Sequence, residues 1–170
     1  VAPASSSDTR HLRHVLEKGR PLVLLDRTAY GLPVETVAVD TTSISHEATQ
    51  YLLDRGHRRI AFISTLKSES PFSKETQVES SQISERLEGM QRAFSDKGLP
   101  FPFDLVRLSA GDTDSIRSIT RELLFLPDPA TVVVASDGLI ALSVLGAIQE
   151  LGLSIPEDVS FLMYDDFPWT

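Results

Sequence analysis

The 170-residue sequence predicts an α/β protein with doubly wound parallel sheets. Short apolar runs alternate along the chain with segments in which apolar residues recur every three or four positions, as strands and amphipathic helices do. The apolar runs lack the alternation of a strand with one solvated face, which indicates strands that helices cover on both sides. Strand–helix–strand repetition with short joints favours parallel pairing.

Five strands follow from the apolar runs, in chain order at 21–25, 59–63, 105–108, 131–135 and 159–164. Each is bounded by polar or turn-forming residues and has the length of a buried strand. The stretch 34–40, "VETVAVD", follows the first strand with no helical segment between them. We expect it to be a connector and not a sixth strand.

Helical periodicity fills the intervals between the later strands, with apolar faces at 44–52, 83–94, 116–123 and 140–151. A polar helix is predicted to precede the first strand. Glycines follow the helical segments where a left-handed residue commonly ends a helix, at positions 19, 56, 98 and 152. The predicted N-caps are Asp8, Ser43, Thr113 and Ser136.

One segment fits neither pattern. Residues 65–82, "TLKSESPFSKETQVESSQ", are polar and carry no strong period. The segment is long for a joint between a strand and a helix, and long irregular loops in compact domains are often functional. We predict a mobile loop that covers a binding site or reaches a neighbouring subunit.

Composition excludes several classes of function. The net charge of −8 disfavours contact with phosphate backbones, so any DNA contact should come from a segment outside this chain. The absence of cysteine rules out disulfides and thiolate metal sites, and it fits a reducing compartment. No apolar run approaches the roughly 18–20 residues that cross a bilayer, so we expect no membrane partner.

Polar residues collect where the strands end. In open parallel sheets, ligands bind beyond the carboxyl ends of the strands. The residues at these ends are Asp26-Arg27, Asp40, Ser64-Thr65, Ser136-Asp137 and Asp165-Asp166. They predict an acceptor-rich rim for a ligand. The alternative at Ser136-Asp137 is that the pair only caps the helix that follows it.

Sequence signatures of catalysis are missing. The sequence contains no glycine-rich nucleotide loop, no HExxH metal motif and no GxSxG nucleophile elbow. No strand ends in the lysine that an aspartate-based phosphoryl site would need. We therefore predict a binding protein without a cofactor, a metal or an enzymatic activity.

Four stretches together resemble the effector-binding core of LacI/GalR-family transcription regulators: "RPLVLLDR" (20–27), "YLLDRGHRRIAFIS" (51–64), "SERLEGMQRAFSDKGL" (84–99) and "ASDGLIALSVLGAIQELGLSIPEDVSFLMYDDFPW" (135–169). The resemblance implies a fold like that of type I periplasmic binding proteins. Residues 1–39 would form part of an incomplete N-terminal lobe, and residues 40–170 a nearly complete C-terminal lobe. The DNA-binding head would lie outside this chain.

The resemblance also assigns effector contacts. The family's effector-gripping arginine, three positions before a glycine, falls on Arg86, and the first acid of its paired aspartates falls on Asp165. The family's Asn-Asp pair is Ser136-Asp137 in this chain, and the family's glycine before the aromatic residue is Met163. The full set of implied effector-binding residues is Arg86, Asp165, Asp137, Ser136, Asp40 and Asp26. For Asp26 and Asp40 a scaffold role is equally open.

The function that the resemblance implies is ligand sensing in the cytoplasm. A small sugar or sugar derivative would bind between the two lobes of a homodimeric regulator. Binding would change the DNA affinity of a helix-turn-helix head. The alternative is an extracytoplasmic sugar-binding protein of a transporter, which shares the fold and differs in what precedes it.

Overall fold

The computed structural model describes residues 1–65, 72–108, 112–166 and 168. The chain divides into two compact units. Unit 1 comprises Val1–Tyr51 and Gln77–Leu99, and unit 2 comprises Leu52–Thr76 and Pro100–Thr170. The α/β architecture with parallel sheets confirms the fold class predicted from the sequence.

Unit 1 combines a small parallel sheet with helices. Its elements are α1 (Arg10–Glu17), β1 (Val23–Leu25), β2 (Glu35–Val37), the greater part of α2 (Thr41–Asp54) and α3 (Ser81–Asp96). Strands β1 and β2 pair in parallel with Leu24 opposite Thr36. The buried residues Leu12, Leu24 and Ala29 form a small core beside this sheet.

Two expectations for this region were wrong. The stretch at 34–40 was predicted to be a connector, but it contains strand β2, because its backbone pairs with β1 after an irregular crossover. The first strand was predicted to be fully buried, but Val23 and Leu25 are 48% and 50% exposed. Among the described residues, only the face that carries Leu24 is covered.

Unit 2 is built on a four-stranded parallel sheet. Its strands are β3 (Ile60–Ser64), β4 (Val106–Leu108), β5 (Val132–Ala135) and β6 (Ser160–Met163), in the spatial order β4-β3-β5-β6. Two helices belong to this unit, α4 (Thr113–Leu124) and α5 (Gly138–Glu150), and a single 3-10 turn at Phe103–Leu105 precedes β4. The two central strands are buried throughout, as predicted.

One face of this sheet packs against α4 and α5. Ala61 and Ile63 of β3 and Val133 and Ala135 of β5 belong to a buried cluster that the two helices complete. The helices contribute Ile116, Leu123, Ile140, Ala141, Val144 and Ile148. Since side chains alternate along a strand, the residues between them in sequence lie on the other face.

The C-terminal ends of the helices were predicted more accurately than their N-terminal ends. Gly19, Gly56, Gly98 and Gly152 all have positive φ, as a left-handed helix end requires. The capping side chains are Asp40, Asp112 and Asp137, in place of the predicted Ser43, Thr113 and Ser136. A carboxylate accepts backbone N–H groups with a full charge at the positive end of the helix dipole, which favours aspartate over serine or threonine. Helix α1 begins after Thr9 without a side-chain cap, so the prediction of Asp8 was also wrong.

The units do not coincide with the lobes that the resemblance implies. The predicted boundary lies between residues 39 and 40, whereas residues 40–51 and 77–99 group with the first segment of the chain. Close packing between α2 and α3 and hydrogen bonds between residues 79–81 and residues 6–28 account for this grouping. As a statement about the lobes of an intact protein, the boundary stays a prediction.

The long segment predicted as a mobile loop is only partly described. Helix α3 already begins at Ser81, and residues 66–71 lie outside the described residues. Phe72 is buried and stacks on Phe103 with a ring-centroid distance of 6.0 Å. The hydroxyl of Thr76 accepts the backbone N–H of Ser73 at 2.9 Å. Phe72 is therefore anchored within unit 2 by an aromatic contact.

Within the described ranges, no helix combines the length and the apolar character that spanning a membrane would require.

Candidate functional site

The six predicted effector residues fall into two groups. Asp26, Asp40 and Arg86 belong to unit 1, and Ser136, Asp137 and Asp165 belong to unit 2. Each unit thus supplies three of the six.

In unit 2, the register of the sheet brings the predicted residues to one edge. Ala135 of β5 pairs with Met163 of β6, so Ser136-Asp137 and Tyr164-Asp165 leave neighbouring parallel strands side by side. Asp165 is half-buried at this edge. Met163, which replaces the family's glycine, packs with the hydrophobic cluster on the helix-covered face. Its partly buried side chain is thus accommodated against the core.

Asp137 is committed to helix α5. Its Oδ1 accepts the backbone N–H groups of Leu139 and Ile140 at 3.0 and 3.1 Å. The hydroxyl of Ser136 donates to Asp137 Oδ2 at 3.0 Å, and Ser136 itself is fully buried. Capping at this pair is therefore observed, and a binding role for it stays a prediction. A carboxylate oxygen can accept two hydrogen bonds. Oδ1 already accepts two and Oδ2 accepts one, so Oδ2 alone retains acceptor capacity for a ligand.

In unit 1, Asp40 is also a helix cap. Its Oδ1 accepts the backbone N–H of Ser43 at 3.0 Å, and its Oδ2 accepts the Ser43 hydroxyl at 2.7 Å. The hydrogen bond from the Ser43 backbone, followed by that from its hydroxyl, lowers the pKa of Asp40. Asp40 is thus held as an exposed carboxylate at the start of α2.

Asp26 and Arg27 are tied to the start of α3 by a residue that the sequence analysis placed in a loop. Asp26 adopts a left-handed backbone conformation with φ of 70°, directly after β1. Its carboxylate accepts a short hydrogen bond from the Gln82 side-chain amide, and Arg27 Nε donates to the carbonyl oxygen of the same amide at 3.2 Å. These are the contacts of a scaffold, so an effector role for Asp26 stays a prediction.

Arg86 lies in the second turn of α3 and is half-buried. Helix α3 begins at Ser81, two residues before the apolar face predicted at 83–94. The buried hydroxyl of Ser45 donates to the Arg86 backbone carbonyl at 2.7 Å, which fixes this turn against α2. A Cβ at Gly89 would lie 2.3 Å from the Thr42 carbonyl oxygen. The glycine three residues after Arg86 therefore permits the helix contact that positions the arginine.

A carboxylate that the sequence analysis missed adjoins Arg86. Burial raises the pKa of Glu85, and the charges of Glu88 and Asp40 raise it further. A hydrogen bond with Thr41 and the charge of Arg86 oppose this effect. Perturbed carboxyl groups cluster at functional sites, but the sequence carried no signal here, because burial and neighbouring charge depend on how α2 and α3 pack.

Replacing Glu85 with glutamine is expected to stabilise the protein at pH 7. The pKa of Glu85 is raised on folding, so the folded state binds its proton more tightly and ionisation weakens the fold as pH rises above 4.5. Glutamine cannot ionise, and its advantage should disappear as pH falls to 4.5 and below. Urea unfolding between pH 4 and 7 measures this effect. Glu47→Gln, at an exposed position of α2, should not alter the profile; a Glu85→Gln profile parallel to wild type would contradict the prediction.

Known proteins are similar to this chain over most of its length. Residues 49–169 match the family model described as a periplasmic binding protein-like domain. The "Probable opine utilization operon repressor" of Rhizobium rhizogenes is 36% identical over 132 residues, which are 78% of this chain and 65% of that protein. The chain spans about half the length of other curated relatives, with 45% of one and 47% of another.

Two solved structures are similar over nearly the whole chain. A transcriptional regulator CelR in complex with cellobiose has a TM-score of 0.75 and 31% identity, covering 94% of this chain and 46% of that one. A LacI-family transcriptional regulator from Enterococcus faecium with bound ribose has a TM-score of 0.72 and 25% identity, covering 91% and 53% respectively. Within the described part of the chain, no group of three or more metal-ligating side chains is assembled.

Proposed function

We propose that this chain, which belongs to the periplasmic binding protein-like domain family, binds a small sugar-like effector. The chain corresponds to the effector-binding core of LacI/GalR-type transcription regulators. Its relatives are regulators, which supports the role of a ligand-sensing regulatory domain. We also propose that effector binding changes the DNA affinity of a helix-turn-helix head in the intact protein.

The observation that supports a sugar most directly is the cellobiose complex of a regulator that is 31% identical to this chain. A second regulator carries ribose. Both ligands are neutral and rich in hydroxyl groups. The residues proposed for contact suit such a ligand, because the Arg86 guanidinium offers several donors while Asp165 and the free capacity of Asp137 Oδ2 offer acceptors.

Regulation would follow from differential affinity. A ligand shifts a conformational equilibrium only by the difference between its affinities for the two states. For coupling between effector and DNA sites, the typical effect is about 5–150-fold in affinity. A homodimer would let two heads read a symmetric operator. Leu139 and Leu142, exposed on α5 at 57% and 50%, offer an apolar surface for such a partner.

The test titrates the intact protein, bound to its operator, with ribose, cellobiose and a panel of related neutral sugars. We expect at least one sugar to change operator affinity about fivefold or more. Arg86→Ala should remove most of this response. Arg92→Ala, which removes an exposed arginine from the same helix, should retain it. If no sugar of the panel changes the operator affinity of the wild-type protein, the proposal is wrong.

A further inference from the structure

Three hydroxyl-bearing residues form a row across the unit 2 sheet at its carboxyl edge. Ile63 pairs with Ala135, and Ala135 pairs with Met163, so the residues that follow, Ser64, Ser136 and Tyr164, are neighbours on adjacent strands. The backbone N–H of Ser136 donates to the Ile63 carbonyl at 3.0 Å, which continues the ladder to this position. The row thus lies where ligands of parallel sheets bind.

The row lies on the face of the sheet that is turned away from α4 and α5. Ile63, Ala135 and Met163 pack in the cluster with α4 and α5. Because successive side chains point to opposite faces of a sheet, Ser64 and Ser136 share the other face. Their side chains are therefore on the same side of the sheet and on adjacent strands.

Ser64 is fully buried, and its hydroxyl has no hydrogen-bond partner among the described residues. Buried polar groups in proteins are nearly always satisfied, and an orphan hydroxyl destabilises the fold. Ser136 is also fully buried, but its hydroxyl hydrogen is already donated to Asp137 Oδ2. Ser64 can therefore donate a hydrogen bond, whereas Ser136 can only accept one.

The spacing of adjacent strands allows one oxygen atom to bridge the two serines. Adjacent parallel strands lie about 4.8 Å apart. An oxygen midway between two hydroxyls at that spacing can be about 2.8 Å from both, which is a normal O–H···O distance. This oxygen must accept from Ser64 and donate to Ser136. An alcohol group does both, whereas a carboxylate or carbonyl oxygen cannot donate and an ammonium group cannot accept.

We propose that Ser64 and Ser136, here termed the serine pair, bind one hydroxyl group of the effector and so contribute to its specificity. The bound hydroxyl completes a chain that runs from Ser64 through the ligand to Ser136 and on to Asp137. Hydrogen bonds in such a chain strengthen one another. The proposal rests on the proposed function, since it assigns a contact within effector binding by the intact regulator.

The first arm of the test compares ligand-free stability. Ser64→Ala removes an unsatisfied hydroxyl, so its thermal midpoint should equal or exceed that of the wild type. Ser6→Ala removes a buried hydroxyl that accepts the Ser81 backbone N–H at 3.1 Å, and its midpoint should fall. A fall for Ser64→Ala as large as that for Ser6→Ala would overturn the proposal, because Ser64 would then have a partner within the protein.

The second arm measures affinity of the intact protein for the sugars of the panel and for their single-deoxy analogues. For a sugar that the wild type binds, we expect Ser64→Ala to bind about tenfold more weakly. The wild type should bind one deoxy analogue more weakly than the parent sugar, by the same factor. Ser64→Ala should bind that analogue no more weakly than the wild type does. Ser143→Ala, at a buried serine bonded within α5, should bind normally.

The outcomes separate the two proposals. If wild type and Ser64→Ala bind every sugar equally, the serine pair holds only water and the inference is overturned while the proposed function stands. If the wild type responds to no sugar, the proposed function fails and the inference fails with it. A Ser64→Ala variant that keeps its thermal midpoint but binds sugar more weakly would support the serine pair. A merely structural role would not weaken binding while leaving stability intact.

Discussion

Replacing Gly89 with alanine is expected to destabilise the protein by about 2–3 kcal/mol. In an ordinary helix interior the same change stabilises by up to about 1 kcal/mol, because alanine has the higher helix propensity. Here the added methyl group would lie 2.3 Å from the Thr42 carbonyl oxygen and 2.8 Å from the Ser45 Cβ. These atoms belong to the backbone and the buried side of α2, so α3 must move as a whole to relieve the overlap.

The displacement should also weaken the hydrogen bond from Ser45 to the Arg86 carbonyl. Urea unfolding at pH 7 measures the loss of stability. Gly146→Ala in α5 is the matched control, since its added Cβ would meet the flexible end of Arg117 at 3.2 Å. That side chain can adjust, so the control should change stability by less than about 1 kcal/mol. A neutral or stabilising Gly89→Ala would show that α2 and α3 do not pack as described.

The fold could be predicted where the sequence signal is local. Strands β3 and β5 were placed to within a residue, because continuous apolar runs leave little choice of face or period. Strand β2 was missed because its backbone pairing with β1 has no counterpart in local composition. The exposure of Val23 and Leu25 depends on what neighbours the sheet, which periodicity does not report.

The candidate site shows the same division. The rule that ligands meet the carboxyl edge of a parallel sheet is enough to select Ser136, Asp137 and Asp165 from the sequence alone. It could not show that the Asp137 carboxylate is largely used by α5, or that Gln82 joins Asp26 to Arg27. The serine pair required the register of β3 against β5, because a shift of one residue would put the two side chains on opposite faces.

Arg59 illustrates what a sequence motif can mean structurally. It directly precedes strand β3, in the stretch "GHRRIAFI". Its Nη1 and Nη2 donate to the two carboxylate oxygens of Asp104, which precedes β4, at 3.1 and 2.7 Å. Its Nη2 also donates to the Asp128 carbonyl before β5 at 2.9 Å. One guanidinium thus joins the beginnings of three neighbouring strands.

Arg59→Lys is expected to destabilise the protein by about 2 kcal/mol, because an ammonium group keeps the charge but cannot make these bonds together. Arg10 is the control: it forms an equally bidentate pair with Asp8, but its side chain is 89% exposed, so Arg10→Lys should have no measurable effect in urea unfolding.

The Arg59 hydrogen bond lowers the pKa of Asp104 below 3.8. The stability that this pair contributes is therefore present above that pH and is lost as pH falls through the folded-state pKa. The difference in unfolding free energy between wild type and Arg59→Lys should therefore become smaller below pH 3.8. Equal losses for the two arginines would mean that burial does not decide the strength of such pairs, and the strand-joining role of Arg59 would be refuted.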